Sequence, residues 1–104
     1  MRFLIIFFFL FNLFCAKFLP TPIEKILNDP RGYEGREVLI RGEVTEVFSL
    51  IFIKYFKVKD KTGEIVVLTE KPFPKEGNVV KVKGKVETIQ IGNETYTVIR
   101  ENKE

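Results

Sequence analysis

No histidine occurs anywhere in this 104-residue chain, so the side chain that most readily exchanges protons near neutral pH is missing. Ser49 has no basic partner close by in sequence, and the single cysteine, Cys15, lies in an apolar N-terminal run. Asp60 and Glu64 flank a short turn and offer two carboxylates to a cation. A hard cation takes about six or more oxygen ligands, so these carboxylates are expected to solvate the turn instead. Phosphate-cradling glycine loops, cysteine pairs and zinc-ligand spacings are absent. The expectation is a protein that is not an enzyme and uses no cofactor or metal.

The remaining chemistry is binding. Phe48, Leu50, Phe52 and Tyr55 alternate with or precede Lys54, Lys57, Lys59 and Lys61. Aromatic rings that stack bases while lysines follow phosphates suit a single-stranded nucleic acid, at about 1–3 kcal/mol per stacked base. Glu43, Glu46, Glu64 and Glu70 are interspersed nearby and weaken that reading. The apolar stretch Phe48–Ile53 also suits a second class of ligand, an envelope protein or lipid, because buried aromatic anchors dominate protein interfaces.

These residues need strands to position them. In REVLIRGEVTEV, Val38, Ile40 and Val44 share one face, opposite Arg41, Glu43 and Thr45; side chains alternate along a strand, so one face is buried and the other wet. Phe56 and Val58 continue the inward face in a second strand, with Tyr55, Lys57 and Lys59 opposite. Asp60–Gly63 is a turn in which Asp60 bonds the backbone two residues on and Gly63 supplies a positive φ. Glu64–Thr69 returns as a third strand with Ile65 and Val67 inward. Asn78–Thr88 is a fourth, with Val80, Val82 and Val86 inward and Lys81, Lys83 and Lys85 outward. Tyr96–Ile99 is a fifth, entered through a turn at Gly92-Asn93. Gly42 and Gly84 sit mid-strand on the core face, where glycine suits a bulge or a sharp coil. Phe48–Ile53, between the first two strands, lacks clean alternation.

Net charge is +3, falling to +2 if Arg2 is removed with a signal. That is a mixed surface and not the strong basic footprint of most nucleic-acid-binding domains. Abundant Lys and Glu, one Gln and no Trp or His resemble the composition of proteins from hot environments.

Met1-Arg2 precedes an apolar run, Phe3–Ala16, which falls short of the roughly 20 residues that span a bilayer as a helix. It has the form of a secretory signal over residues 1–16. Asn12-Leu13-Phe14-Cys15 resembles a bacterial lipoprotein box, which makes Cys15 the candidate lipidation site. Phe14 departs from the small residue that pattern wants. The expectation is an exported chain, periplasmic or attached to the cell envelope through its N-terminus, with oligomeric state open. Residues 17–20 form a linker. Thr21-Pro22-Ile23-Glu24 is a capping box that starts a short helix carrying Ile23, Ile26 and Leu27 and ending before Pro30. The helix is too short to stand alone and must plug one end of the strands. Two prolines in Glu70–Gly77 forbid a long helix there. Residues 21–100 form the domain, and 101–104 a frayed tail.

One helix followed by five short strands, with V-x-I-R-G-x-V at Val38–Val44, F-K-V-K-D-K-T-G-E-I-x-V at Phe56–Val67 and VVKVKGKV at Val79–Val86, resembles an OB-fold of the nucleic-acid-binding, anticodon type. The resemblance implies a mainly β, five-stranded barrel. It also implies a ligand face on strands two and three with the loops joining strands one to two and four to five. Those places hold Phe48, Leu50, Phe52, Tyr55, Lys57, Lys59, Val66, Leu68, Ile91 and Asn93. OB barrels host many partners, so the resemblance specifies a fold more than a ligand. The helix usual between the third and fourth strands is replaced here by the proline segment.

Overall fold

The computed structural model describes residues 19–103; the expected signal over 1–16 and Cys15 lie outside the described residues. The fold is mainly β. Helices α1 (Ile23–Asn28) and α2 (Pro30–Tyr33) precede strands β1 (Glu37–Ser49), β2 (Lys54–Lys59), β3 (Glu64–Leu68), β4 (Val79–Ile91) and β5 (Glu94–Glu101). The strand order β1-β2-β3-β5-β4 returns to β1, so the sheet closes as a barrel. All neighbours are antiparallel except β3 and β5, which run parallel. Among the described residues no helix is long and apolar enough to cross a membrane.

Alternation dictates the core as expected. Val38, Ile40, Val44, Phe56, Val58, Ile65, Val67, Val82, Val86 and Ile99 are buried inside the ring, joined by Ile23 and Ile26 of α1. Val80 is only partly buried against them. Gly42 and Gly84 occupy inward positions where strands pass closest. A Cβ on Gly42 would fall on the Lys59 carbonyl, and one on Gly84 on the Arg100 carbonyl. Glycine is required at both sites by close approach of backbone.

Several elements differ from the sequence expectation. Every long strand overruns it: β1 continues through Phe48 and Ser49, β4 to Ile91, and β5 from Glu94 to Glu101. The tail is tied down at its start, with the Asn102 N–H donating to the Lys83 carbonyl at 3.0 Å. Beyond the end of the expected helix, Pro30–Tyr33 forms a second short helix, α2, whose Gly32 N–H donates to Asp29 Oδ1 at 3.1 Å. Leu27 does not complete the buried stripe of α1 and is 38% exposed.

The capping box is not formed either, since no side chain of the local sequence caps α1. The caps come from the turn between β2 and β3. Ile23 N–H donates to Asp60 Oδ2 at 3.0 Å and Glu24 N–H to Thr62 Oγ1 at 3.0 Å. The other Asp60 oxygen accepts from Thr62 N–H at 2.7 Å, Thr62 Oγ1 at 2.7 Å and Gly63 N–H at 3.0 Å. Gly63 is not among the positive-φ glycines. A Cβ there would stand in ordinary contact with Ile23 Cγ2 at 3.4 Å and Leu27 Cδ1 at 3.5 Å, so neither conformation nor space demands glycine at this position. Helix α1 thus closes the barrel end reached by the β2–β3 turn. At the other end, residues 70–77 form no helix, and Phe73 packs against the core.

The strand phase and the Asp60 clamp can each be tested by substitution. Val82, 1% exposed, loses about 1–3 kcal/mol on substitution by alanine. Its neighbour Lys83 makes only a surface ion pair with Glu37 at 3.4 Å, and Lys83→Ala costs less than about 0.5 kcal/mol; urea melts of the two variants measure the difference. Burial alone pushes Asp60 upward, but hydrogen bonds from Thr62, Ile23 and Gly63 outweigh it and hold the carboxyl below its ordinary 3.8. A depressed carboxyl contributes stability that is full above its unfolded pKa and is lost as pH falls through the folded one. Asp60→Asn is therefore less stable than the parent at neutral pH by about 1.5–3 kcal/mol, the range for hydrogen bonds to a charged group. The gap closes on acidification below the ordinary carboxylate range, and denaturation measured across that range checks it.

Candidate functional site

The outer face of β2 and β3 is set by a fault in β1. Val44 stands opposite Val58, but Glu46 stands opposite Lys57, so Thr45 is an extra residue and β1 bulges there. A one-residue bulge reverses the phase of every residue beyond it on the strand. Val47 therefore packs against the core, and Phe48 turns outward opposite Tyr55. Their rings stack with centroids 5.1 Å apart and planes at 28°. Tyr55 is in turn opposite Leu68, and Leu68 opposite Arg100. The next row across the same face is Glu46, Lys57, Val66, Val98 and Glu87. The face thus has an aromatic and apolar centre of Phe48, Tyr55, Val66 and Leu68.

Its charges are matched. Lys57 Nζ lies 3.2 Å from Glu46 Oε2, and that hydrogen bond and charge raise the lysine's pKa above its ordinary value. Arg100 Nε pairs with Glu87. Lys59 is exposed, with Glu43 and Glu64 as its register partners on the two adjoining strands. Thr45 Oγ1 donates to Glu64 Oε2 at 2.6 Å, which fixes the bulge to β3.

Of the residues singled out in sequence, Phe48, Tyr55, Lys57 and Lys59 are brought together on this face, with Val66 and Leu68. Lys54 is not. It is in phase with Phe56 and Val58, at the barrel end closed by Phe73, where its Nζ lies 5.0 Å from the Phe73 ring centroid and donates to the Lys71 carbonyl at 3.3 Å. Ile91 and Asn93 are also remote. Because β3 and β5 run parallel with Val66 opposite Val98, the β4–β5 turn lies beyond the Glu64 end of the face. The β1–β2 loop lies beyond the Leu68 end, so the two loops flank opposite ends.

That β1–β2 loop is the most apolar exposed feature of the described residues. Leu50 N–H donates to the Ile53 carbonyl at 2.7 Å, pinching residues 50–53 into a tight tip. Ile51 is 91% and Phe52 94% exposed, with Leu50 and Ile53 also open. Four consecutive apolar side chains therefore stand in water at one end of a matched-charge face. Lone exposed apolar residues are ordinary, but a contiguous group marks an interaction site.

Three features of the site were missed in sequence: the bulge, the outward Arg100–Glu87 pair and the diversion of Lys54. The bulge had a signal, since Val44 and Val47 are three residues apart where an unbroken strand would space them by two. The other two depend on contacts across the barrel. Among the described residues no group of three or more His, Cys, Asp or Glu side chains is placed to hold a metal ion. The chain matches no protein-family model and no curated protein.

Proposed function

We propose that this chain is a non-enzymatic OB-fold binding module of the cell envelope, exported by its N-terminal segment and anchored through Cys15, that docks a partner protein. The contact region is the Leu50–Ile53 tip with the adjoining Phe48–Tyr55–Leu68 row. The ring order β1-β2-β3-β5-β4, with its parallel β3–β5 pair, supports the OB assignment. The carrying observation for the ligand is the tip itself: four apolar side chains in succession, two of them over 90% exposed. Such a projection costs free energy while it stands in water, and seating it in a complementary pocket removes that cost.

Nucleic acid, which the family resemblance implies, is the second reading, favoured by Tyr55 beside Leu68 on the open face. The pairing of Lys57 with Glu46 and of Arg100 with Glu87 weighs against it. A phosphate would have to displace a carboxylate at each.

Fluorescence anisotropy with labelled single-stranded oligonucleotides separates the two. Protein docking expects only weak binding that disappears by physiological salt, as counterion release alone dictates, and that is insensitive to Phe52→Ser. A photo-cross-linking residue at position 52 then yields a discrete protein adduct in the cell envelope, while one at Lys75 does not. Tight oligonucleotide binding that persists at physiological salt and is lost in Tyr55→Ala overturns the protein reading in favour of nucleic acid. The anchor is tested separately by mass spectrometry of the mature protein. An acyl mass on Cys15, and release of Cys15→Ser from membranes, are the expected results; membrane retention of Cys15→Ser with no acyl mass refutes lipidation.

A further inference from the structure

Strand β4 outruns one of its neighbours. β1 accompanies it only as far as Glu37 opposite Lys85, and Val86 then exchanges backbone bonds with Arg36 and Gly35 at 3.0 and 2.8 Å. β5 continues beside it to Ile91. Beyond Val86, β4 therefore has a partner strand on one side alone. Backbone N–H and carbonyl groups point alternately to the two sides of a strand in an antiparallel ladder. Val86 directs its pair toward Arg36 and Gly35, so Thr88 and Gln90 direct theirs to that same side, which is the open edge. Both residues are exposed.

Composition changes at the same point. The outward positions Lys81, Lys83 and Lys85 are all cationic, and lysine along an edge discourages strand addition. From Thr88 to Asn93 (TIQIGN) there is no charge at all. The first residues of β4, Val79–Val82, also lack β5 on their other side, but there the lysines at 81 and 83 give that protection. Thr88–Gln90 is the one-sided stretch without it, and its isoleucine and threonine favour the strand state.

We propose that the Thr88–Gln90 edge pairs with the same edge of a second copy of this chain, antiparallel about a two-fold axis at Ile89. A two-fold contact sets one patch against itself, so its centre must carry no repelling charge, and this one carries none. With Ile89 at the axis, Thr88 stands opposite the partner's Gln90 and Gln90 opposite the partner's Thr88. Every open N–H and carbonyl of the two edges is then used. Ile89 meets its own counterpart, and Tyr96, the cross-strand neighbour of Ile89, extends the stripe on each side. The contact is small beside the roughly 1,200–2,000 Å² of stable interfaces, so the pairing is weak and concentration-dependent.

Cysteine cross-linking of the full chain tests it, in a Cys15→Ser background that leaves the introduced thiol as the only one. Ile89→Cys sets two sulfurs across a non-hydrogen-bonded antiparallel pair, within the Cα separation a disulfide accepts. It forms disulfide dimer several-fold faster than Lys83→Cys, which serves as the collision control on the same strand. Adding Gln90→Pro removes one edge N–H that serves no bond within the chain, as an edge proline can. Cross-linking of Ile89→Cys then falls to the control rate with the thermal midpoint unchanged. Equal rates for Ile89→Cys and Lys83→Cys overturn the proposal. So does a Gln90→Pro variant that melts earlier yet still cross-links, since the edge would then be engaged inside the chain and the dimer made elsewhere.

Discussion

Closing five short strands into a ring forces backbone against backbone, and the rest of the molecule is arranged around the two places where that happens. At Gly42 the inward position is occupied by the Lys59 carbonyl, and at Gly84 by the Arg100 carbonyl. With hydrogen in place of a side chain, β1 and β4 coil there and remain paired with each other, Gly42 opposite Val80 and Val38 opposite Gly84. Each long strand serves two partners, β1 those of β4 and then β2, β4 those of β1 and then β5. Only a coiled strand can change neighbours in this way without breaking. The apolar residues between these points then fall inward by alternation, and they fill a core built chiefly of valine and isoleucine with a single phenylalanine, Phe56.

Much of this was legible because alternation is a local property. Val82 and Val86 inside, Lys83 and Lys85 outside, and glycine on the core face at positions 42 and 84 can all be read from spacing alone. Strand ends were less legible, since β1, β4 and β5 extend through residues with little alternation such as Thr95 and Phe48. The contributions that failed are the long-range ones. Thr21 and Glu24 have the pattern of a capping box, yet α1 takes its caps from Asp60 and Thr62, which sequence proximity cannot reveal. Gly63 has the sequence setting of a left-handed turn residue, yet its φ is not positive, because the Asp60 carboxylate holds the turn in another shape. Lys54 shares a segment with Tyr55 and Lys57 but belongs to the inward phase and lies over Phe73.

The site follows from the same division between local and distant causes. A mixed sequence of lysines and glutamates says little about which cations remain available. The register does, by putting Glu46 opposite Lys57 and Glu87 one strand from Arg100. The face between them is left with aromatic and aliphatic side chains and little net field. An apolar tip at one end of such a face can be read by shape and by loss of water, with charge setting orientation at the rim. The bulge at Thr45 is what turns Phe48 outward to join that surface, so a single extra residue in β1 supplies part of the candidate contact.

The cap that Asp60 places on α1 also bears on the order in which the molecule can come into being. A chain made from its N-terminus exposes Ile23–Asn28 well before residue 60 exists, and a helix of two turns without caps or packing does not persist. The first half of β1 is in the same position, for it pairs with Val79–Lys85, which emerge only after β2 and β3. β3 cannot gain its parallel neighbour until β5 is complete. The β1–β2 and β2–β3 hairpins join consecutive strands and need nothing later, but the helix cap, the first half of β1 and closure of the ring all wait for residues that follow. Distant pairings of this kind slow folding, and they leave the ring open until β4 and β5 have both emerged.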